Sequence, residues 1–299
     1  MRYNISYDLE NIVAATKELC ALSGIRCDVT ARSILGREIP VFTLGSGKKA
    51  VVYVGALKGN EALTSLFLLD FLRDCVKQSE KESRIYDVTL SYLLRERRII
   101  VIPMLNPDGV GYATEGVKED NPLHARVLQM NGTKDFSAWQ ANARGVELSH
   151  NFDAGFLAHK NLERAAGILS GAPQGYSGEY PESEPETAAL CRLLRFLGED
   201  LLGLLEFHLG QGEITCNCKD NLSAKTMAAG RILGRATGYR LIGPEKATPE
   251  GGLADWCIEK LSRPAYRVDC DAARYTPEKA RACLFEALRR ALYTFPFMV

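Results

Sequence analysis

The 299 residues carry no formal net charge, because 37 Lys and Arg face 37 Asp and Glu. That balance lacks the basic excess of a nucleic-acid binder and any polybasic attraction to anionic lipid, so neither nucleic acid nor membrane is expected as a partner. No run reaches the roughly 18 uncharged apolar residues of a membrane-crossing helix. The opening Met1-Arg2-Tyr3-Asn4 through Glu10 places acids where an apolar leader would be needed. No repeat, low-complexity tract or Pro/Ser-rich linker divides the chain, so a single domain over 1–299 is expected. The nine cysteines (20, 27, 75, 191, 216, 218, 257, 270 and 283) are odd in number and share no repeated spacing. A disulfide framework is therefore excluded, and reduced, mostly buried thiols in a cytoplasmic protein are expected. Cys216-Asn217-Cys218 is one residue short of the Cys-x-x-Cys spacing used at metal and redox sites.

Apolar residues at 46% and charged residues at 25% fit an ordinary globular chain large enough to bury a substantial core. Short β-branched runs alternate with long amphipathic segments, the pattern of an α/β fold with a central sheet. Strands are expected at Ile39–Leu44, Ala50–Gly55, Arg98–Pro103, Leu201–His208 and Pro264–Cys270. Helices are expected at Leu9–Leu22, Glu61–Val76, Glu184–Leu197, Ala224–Gly238 and Pro277–Tyr293. Ser183 and Glu186 have the spacing of a capping box, and Thr276-Pro277 that of an N-cap and first helical residue. Between Asn106 and Gly178 the chain is rich in Gly, Asn and Asp, and long connections with short helices are expected there. Such connections often carry binding residues.

Chemistry-bearing residues collect at the predicted strand ends, where open α/β sheets hold their ligands. Lys58 and Glu61 follow the second strand, and Asn106-Pro107-Asp108-Gly109, a strong turn signal, follows the third. Asn142 to Phe152 contains Arg144, Ser149 and His150. His208 ends the fourth strand and Asp269 lies in the fifth. Singly, each has a plain explanation: Glu61 as a helix-start carboxylate, His208 as a satisfied core histidine.

Together they resemble the zinc carboxypeptidases, most nearly the bacterial γ-D-glutamyl-diamino-acid peptidase branch. The resemblance runs from about Ser33 to Asp269. It rests on Leu105-Asn-Pro-Asp-Gly109, Ala141-Asn-Ala-Arg-Gly145, Ser183-Glu-Pro-Glu-Thr187 and Gly251-Gly-Leu-Ala-Asp-Trp256, in that order. It implies one α/β/α domain on a mixed, about eight-stranded sheet, with Lys58, Glu61, Arg144, His208 and Asp269 converging on one cleft. It also implies one Zn²⁺ held by a His-x-x-Glu pair and a distant His. Here that set falls on Lys58, Glu61 and His208, so Lys58 replaces a ligand. Arg144 falls on the carbonyl-polarising arginine and Asp269 on the general base, usually Glu. Ser149 and His150 fall on the Asn-Arg pair that grips the substrate's terminal carboxylate, and Ala254 on the residue that sets side-chain preference. The substrate-capping tyrosine falls near Ala247, where there is none.

An ammonium has no lone pair, so Lys58 cannot ligate zinc as it stands. The expectation is that Lys58 replaces the metal's charge by pairing with Glu61 and Asp269. Three functions follow from the resemblance. One is a metallopeptidase cleaving carboxyl-terminal or cell-wall-type peptides, with His150 as candidate third ligand. Another is a non-catalytic binder of peptides or amino-acid derivatives, holding a carboxylate through His150 and Arg144. A related deacylase would meet the same obstacle at Lys58.

Overall fold

Alternation along Leu201–Leu209 sets the layers of the molecule. Phe207 meets Phe67 edge-on at 5.1 Å on one side, while Glu206 accepts from the backbone N–H of Ala254 on the other. Successive strand residues point to opposite faces, so helices must cover both. The computed structural model describes residues 8–79, 81, 84–86, 88–217, 222–243 and 252–299. The strands are β1 (Arg26–Arg32), β2 (Glu38–Leu44), β3 (Lys49–Val54), β4 (Arg84–Ile85), β5 (Val88–Thr89), β6 (Arg97–Ile102), β7 (Leu201–Leu209), β8 (Glu213–Thr215), β9 (Arg240–Ile242) and β10 (Ala265–Cys270). Eight of them form one mixed sheet in the order β1-β2-β6-β3-β7-β10-β8-β9, and β4 and β5 pair separately. Among the described residues ten α-helices surround it: α1 (Leu9–Cys20), α2 (Ala62–Ser79), α3 (Leu90–Glu96), α4 (Pro107–Glu115), α5 (His124–Asn131), α6 (Phe156–Ala165), α7 (Pro185–Leu197), α8 (Leu222–Thr237), α9 (Leu253–Leu261) and α10 (Pro277–Thr294). The α/β/α architecture is the one expected.

α1, α2, α10 and α8 pack side by side in that order, whereas α9 lies against β7 and β10. The inner strands are apolar on both faces: Ala50 to Val54 and Ile99 to Ile102 are buried throughout. Although β2 and β3 are consecutive, they do not pair. β6 lies between them, antiparallel to β2 and parallel to β3. The Asn106–Gly109 signal is a helix start rather than a free turn. Asn106 caps α4 by accepting from Gly109 N, with Pro107 in the first turn. Asp108 is fully buried and holds Ser33 Oγ, Leu35 N and Arg37 Nη1, each at 2.9 Å. The capping box at Ser183 does not form: Ser183 Oγ donates to Glu184, and Glu186 turns inward and is fully buried.

One expectation about cysteine is corrected. Cys20 and Cys27 form a disulfide between the end of α1 and β1, because the short return after the helix brings their Cα atoms to 5.2 Å. Cys75, Cys191, Cys257 and Cys270 are buried free thiols, as expected, and Cys216 is buried as well. Cys218, Ala247 and Gly251 lie outside the described residues. No helix among the described residues is long and apolar enough to cross a membrane.

Candidate active site

Two adjacent parallel strands build the floor of the site. In the β7–β10 register His208 lies opposite Asp269 and Glu206 opposite Arg267, so all four share one face. Glu61 arrives from the β3–α2 connection, where Gly59 is required: a Cβ there would meet the Gly109 carbonyl oxygen at 2.5 Å. Glu61 is buried, accepts from Leu209 N at 3.2 Å, and faces His208 Nδ1 with oxygens at 2.9 and 3.2 Å. Burial alone would push His208 down, but the Glu61 carboxylate, with Glu206, outweighs it and raises the imidazole to about 9.

Lys58 is where the structure departs from expectation. Its Nζ lies 2.9 Å from Glu147 Oε1, and it makes no ion pair with Glu61 or Asp269. The reason is that both expected partners are already taken. Glu61 is held by His208 and Leu209, and Asp269 accepts from Arg267 Nε at 3.0 and 3.2 Å. Glu147 is buried and collects further donors, Ser149 Oγ at 2.9 Å and Gly175 N at 2.6 Å, with His150 Nε2 at 3.4 Å. Burial opposes ionisation of Glu147, yet His150, Lys58 and Gly175 together hold its carboxyl well below the usual range.

Ser149 and His150 are thereby turned toward Glu147, and the His150 ring stacks on His159 at 3.9 Å. Arg144 donates through Nε to Glu184 Oε2 at 3.0 Å and through Nη2 to Ser183 O at 3.2 Å, with its side chain 43% exposed. Asn142 also donates to Glu184, at 2.7 Å, and steadies that arm. Ala254 opens α9 beside Glu206, its N–H 3.4 Å from Oε1.

Zinc needs three protein ligands and an open position at a catalytic centre. Glu61 and His208 supply two. Lys58 supplies a cation already committed to Glu147, and His150 is committed to the same carboxylate. Among the described residues no group of three or more His, Cys, Asp or Glu could hold a metal ion. The residues present do not fit a conventional catalytic zinc.

Glu147, Glu206 and Arg267 lie in the stretches that stand out in the sequence, Asn142–Phe152, Glu206–His208 and Tyr266–Asp269, but no role falls on them there. A signal for Glu206 was there: one carboxylate inside the apolar strand Leu201–Phe207, two residues before His208 and hence on its face.

Comparison with known proteins adds three findings. Residues 12–225 match the family model described as zinc carboxypeptidase. The chain is 29% identical over 241 residues to γ-D-glutamyl-L-diamino acid endopeptidase 1 of Lysinibacillus sphaericus, covering 79% of this chain and 58% of that relative, so it spans less than two thirds of the relative's length. Among solved structures, thrombin activatable fibrinolysis inhibitor superposes over 100% of this chain and 80% of its own, with TM-score 0.72 and 18% identity. The murein-tripeptide amidase MpaA of Escherichia coli O157 covers 89% of this chain and 91% of its own, with TM-score 0.52 and 21% identity.

Proposed function

This chain belongs to the zinc carboxypeptidase family, and from that premise we propose that it recognises cell-wall-type peptides in a metallocarboxypeptidase-like cleft without conventional zinc-dependent turnover. The observation that carries the reading is the Lys58–Glu147 ion pair, which puts a cation without a lone pair at the missing ligand position and satisfies it there. The substrate class is taken from the relative that is named for γ-D-glutamyl-diamino-acid peptides. In this reading Arg144, Ser149, His150 and Ala254 border the bound peptide, and Glu61, His208 and Asp269 line its floor. Glu184 orients Arg144, whose exposed nitrogens keep a donor face toward solvent.

A zinc-dependent peptide hydrolase is the second reading. It is favoured by the close approach of Glu61 to His208 and by Asp269 beside His208 in the strand register. The two readings separate in one experiment. Protein purified without chelators is given a γ-D-glutamyl-L-lysyl peptide with and without added zinc. Binding by calorimetry and product by mass spectrometry are then followed. Binding without product supports the proposal, and zinc-dependent turnover overturns it.

A further inference from the structure

We propose that Glu206 is a specificity residue that receives a substrate ammonium, and that this cleft lacks a grip for a terminal carboxylate. The inference rests on the peptide-recognition reading above and names the charge that the site selects.

The ion pairs decide it. Each permanent cation bordering the site already has a carboxylate: Lys58 has Glu147, Arg144 has Glu184, and Arg267 has Asp269. His150 and Ser149 are drawn to Glu147. Glu61 and Glu206 remain, with His208 between them and Arg267, already paired with Asp269, near both. Five carboxylates thus face three permanent cations, and the balance stays negative with either His208 or His150 charged. Arg144 still turns nitrogens to solvent, but Glu184 already neutralises it, so among the described residues an incoming carboxylate meets no cation at the site without a carboxylate of its own.

Glu206 is the group left incomplete. It is 3% exposed, and its Oε2 has no hydrogen-bond partner among the described residues. His208 Nε2 lies 3.8 Å from that oxygen, beyond hydrogen-bond range. Arg267, opposite in the register, gives its Nε to Asp269 instead. A buried carboxylate oxygen without a donor is costly, and a cation that reaches it gains a charge-assisted bond. Beside Glu206 stand two small residues, Ala254, whose N–H reaches Oε1, and Gly252, where an added Cβ would lie 4.0 Å from that oxygen. Of the cations a peptide can carry, a primary ammonium on a thin alkyl stem needs the least width to reach the carboxylate past them. Guanidinium is wider, and a carboxylate is repelled.

The test measures affinity for four synthetic γ-D-glutamyl-L-lysyl peptides: lysine free or Nε-acetylated, each as carboxyl-terminal acid or amide. The free-lysine peptides should bind at least about tenfold more tightly than the acetylated ones, as for a hydrogen bond to a charged group. Acid and amide should bind alike, or the amide better. Glu206→Gln should collapse the lysine-to-acetyl-lysine ratio toward one while leaving the acid-to-amide ratio unmoved. Equal affinity for lysine and acetyl-lysine would overturn the inference alone, as would a tenfold preference for the acid. Failure of all four peptides to bind would overturn the peptide-recognition reading and the inference with it. The four peptides on the unaltered chain give this answer even if the variant does not fold.

Discussion

Lys58→His is the perturbation that most directly probes how the site was altered. In the native chain the Lys58 ammonium sits 2.9 Å from Glu147 Oε1, with its side chain 17% exposed and that of Glu147 only 3%. An imidazole at that position would offer one ring nitrogen to Glu147 and turn the other toward Glu61 and His208, restoring three protein ligands. A carboxylate behind a ligating histidine typically adds 10- to 100-fold in metal affinity, and Glu147 is already fixed there by Ser149 and Gly175. Zinc affinity should therefore rise by at least about 100-fold, or about 2.8 kcal/mol. Adding Glu147→Gln to Lys58→His should return about 10- to 100-fold of that gain. Lys58→Met separates loss of the cation from gain of a ligand, and it should fall well short of the histidine variant. The assay is chelator-competition titration with metal per chain by elemental analysis, run on all four proteins in one buffer. Tightly held, near-stoichiometric zinc in the native chain would refute the reasoning, as would a methionine variant equal to the histidine one.

Glu186, fully buried beside Glu184 and Asp108, is pushed up by burial from 4.5 to about 8. The folded state then holds a proton that the unfolded chain releases, so stability is full below about pH 4.5 and falls as pH rises to about 8. Glu186→Gln should flatten that slope and raise urea-unfolding stability at pH 8 by several kcal/mol, since each tenfold change in proton affinity is worth about 1.4 kcal/mol; an unchanged slope would remove Glu186 from the account. Cys20→Ser opens a short disulfide loop and should cost about 2–3 kcal/mol in the same assay, whereas no change would mean that the bond is absent in solution. Gly59→Ala forces a Cβ onto the backbone of Gly109 and should cost about 1–3 kcal/mol, with loss of peptide binding as the Glu61 loop shifts. If turnover is found, Asp269→Asn should lower kcat by about 10²- to 10⁴-fold; full activity would dismiss Asp269 as the base.

Much of the scaffold was legible because its signals are local. The apolar runs at 39–44, 50–55 and 98–103 became β2, β3 and β6, and Thr276-Pro277 opens α10. β1, β8 and β9 were missed because they are short or largely exposed and show no clean alternation. The residue types of the site were legible from motif order, but their pairing was not. Lys58 lies three residues from Glu61 in sequence, yet it binds Glu147, 89 positions away. Charge alone allowed either partner. What chose between them was prior occupation: His208 and Leu209 already hold Glu61, and Arg267 already holds Asp269. Ser183 and Glu186 failed as a capping box for a related reason, since tertiary contacts at Asn151 and Arg144 claim that helix start.

The separation of β2 from β3 by β6 has a consequence for how the chain assembles. The first two apolar strands to leave a ribosome after β1 cannot close on each other as a hairpin. Each needs an edge of β6, and β3 then needs β7, which begins about 150 residues later at Leu201. Non-local parallel pairing of this kind is slow, and nascent strands wait with unpaired edges in the meantime. Chains halted before Leu201 should carry the β3 edge open and depend on chaperones. Refolding of the whole chain should be limited by docking of β7 and β10, the two strands that also carry His208 and Asp269. The floor of the candidate site should therefore be among the last parts of the molecule to form.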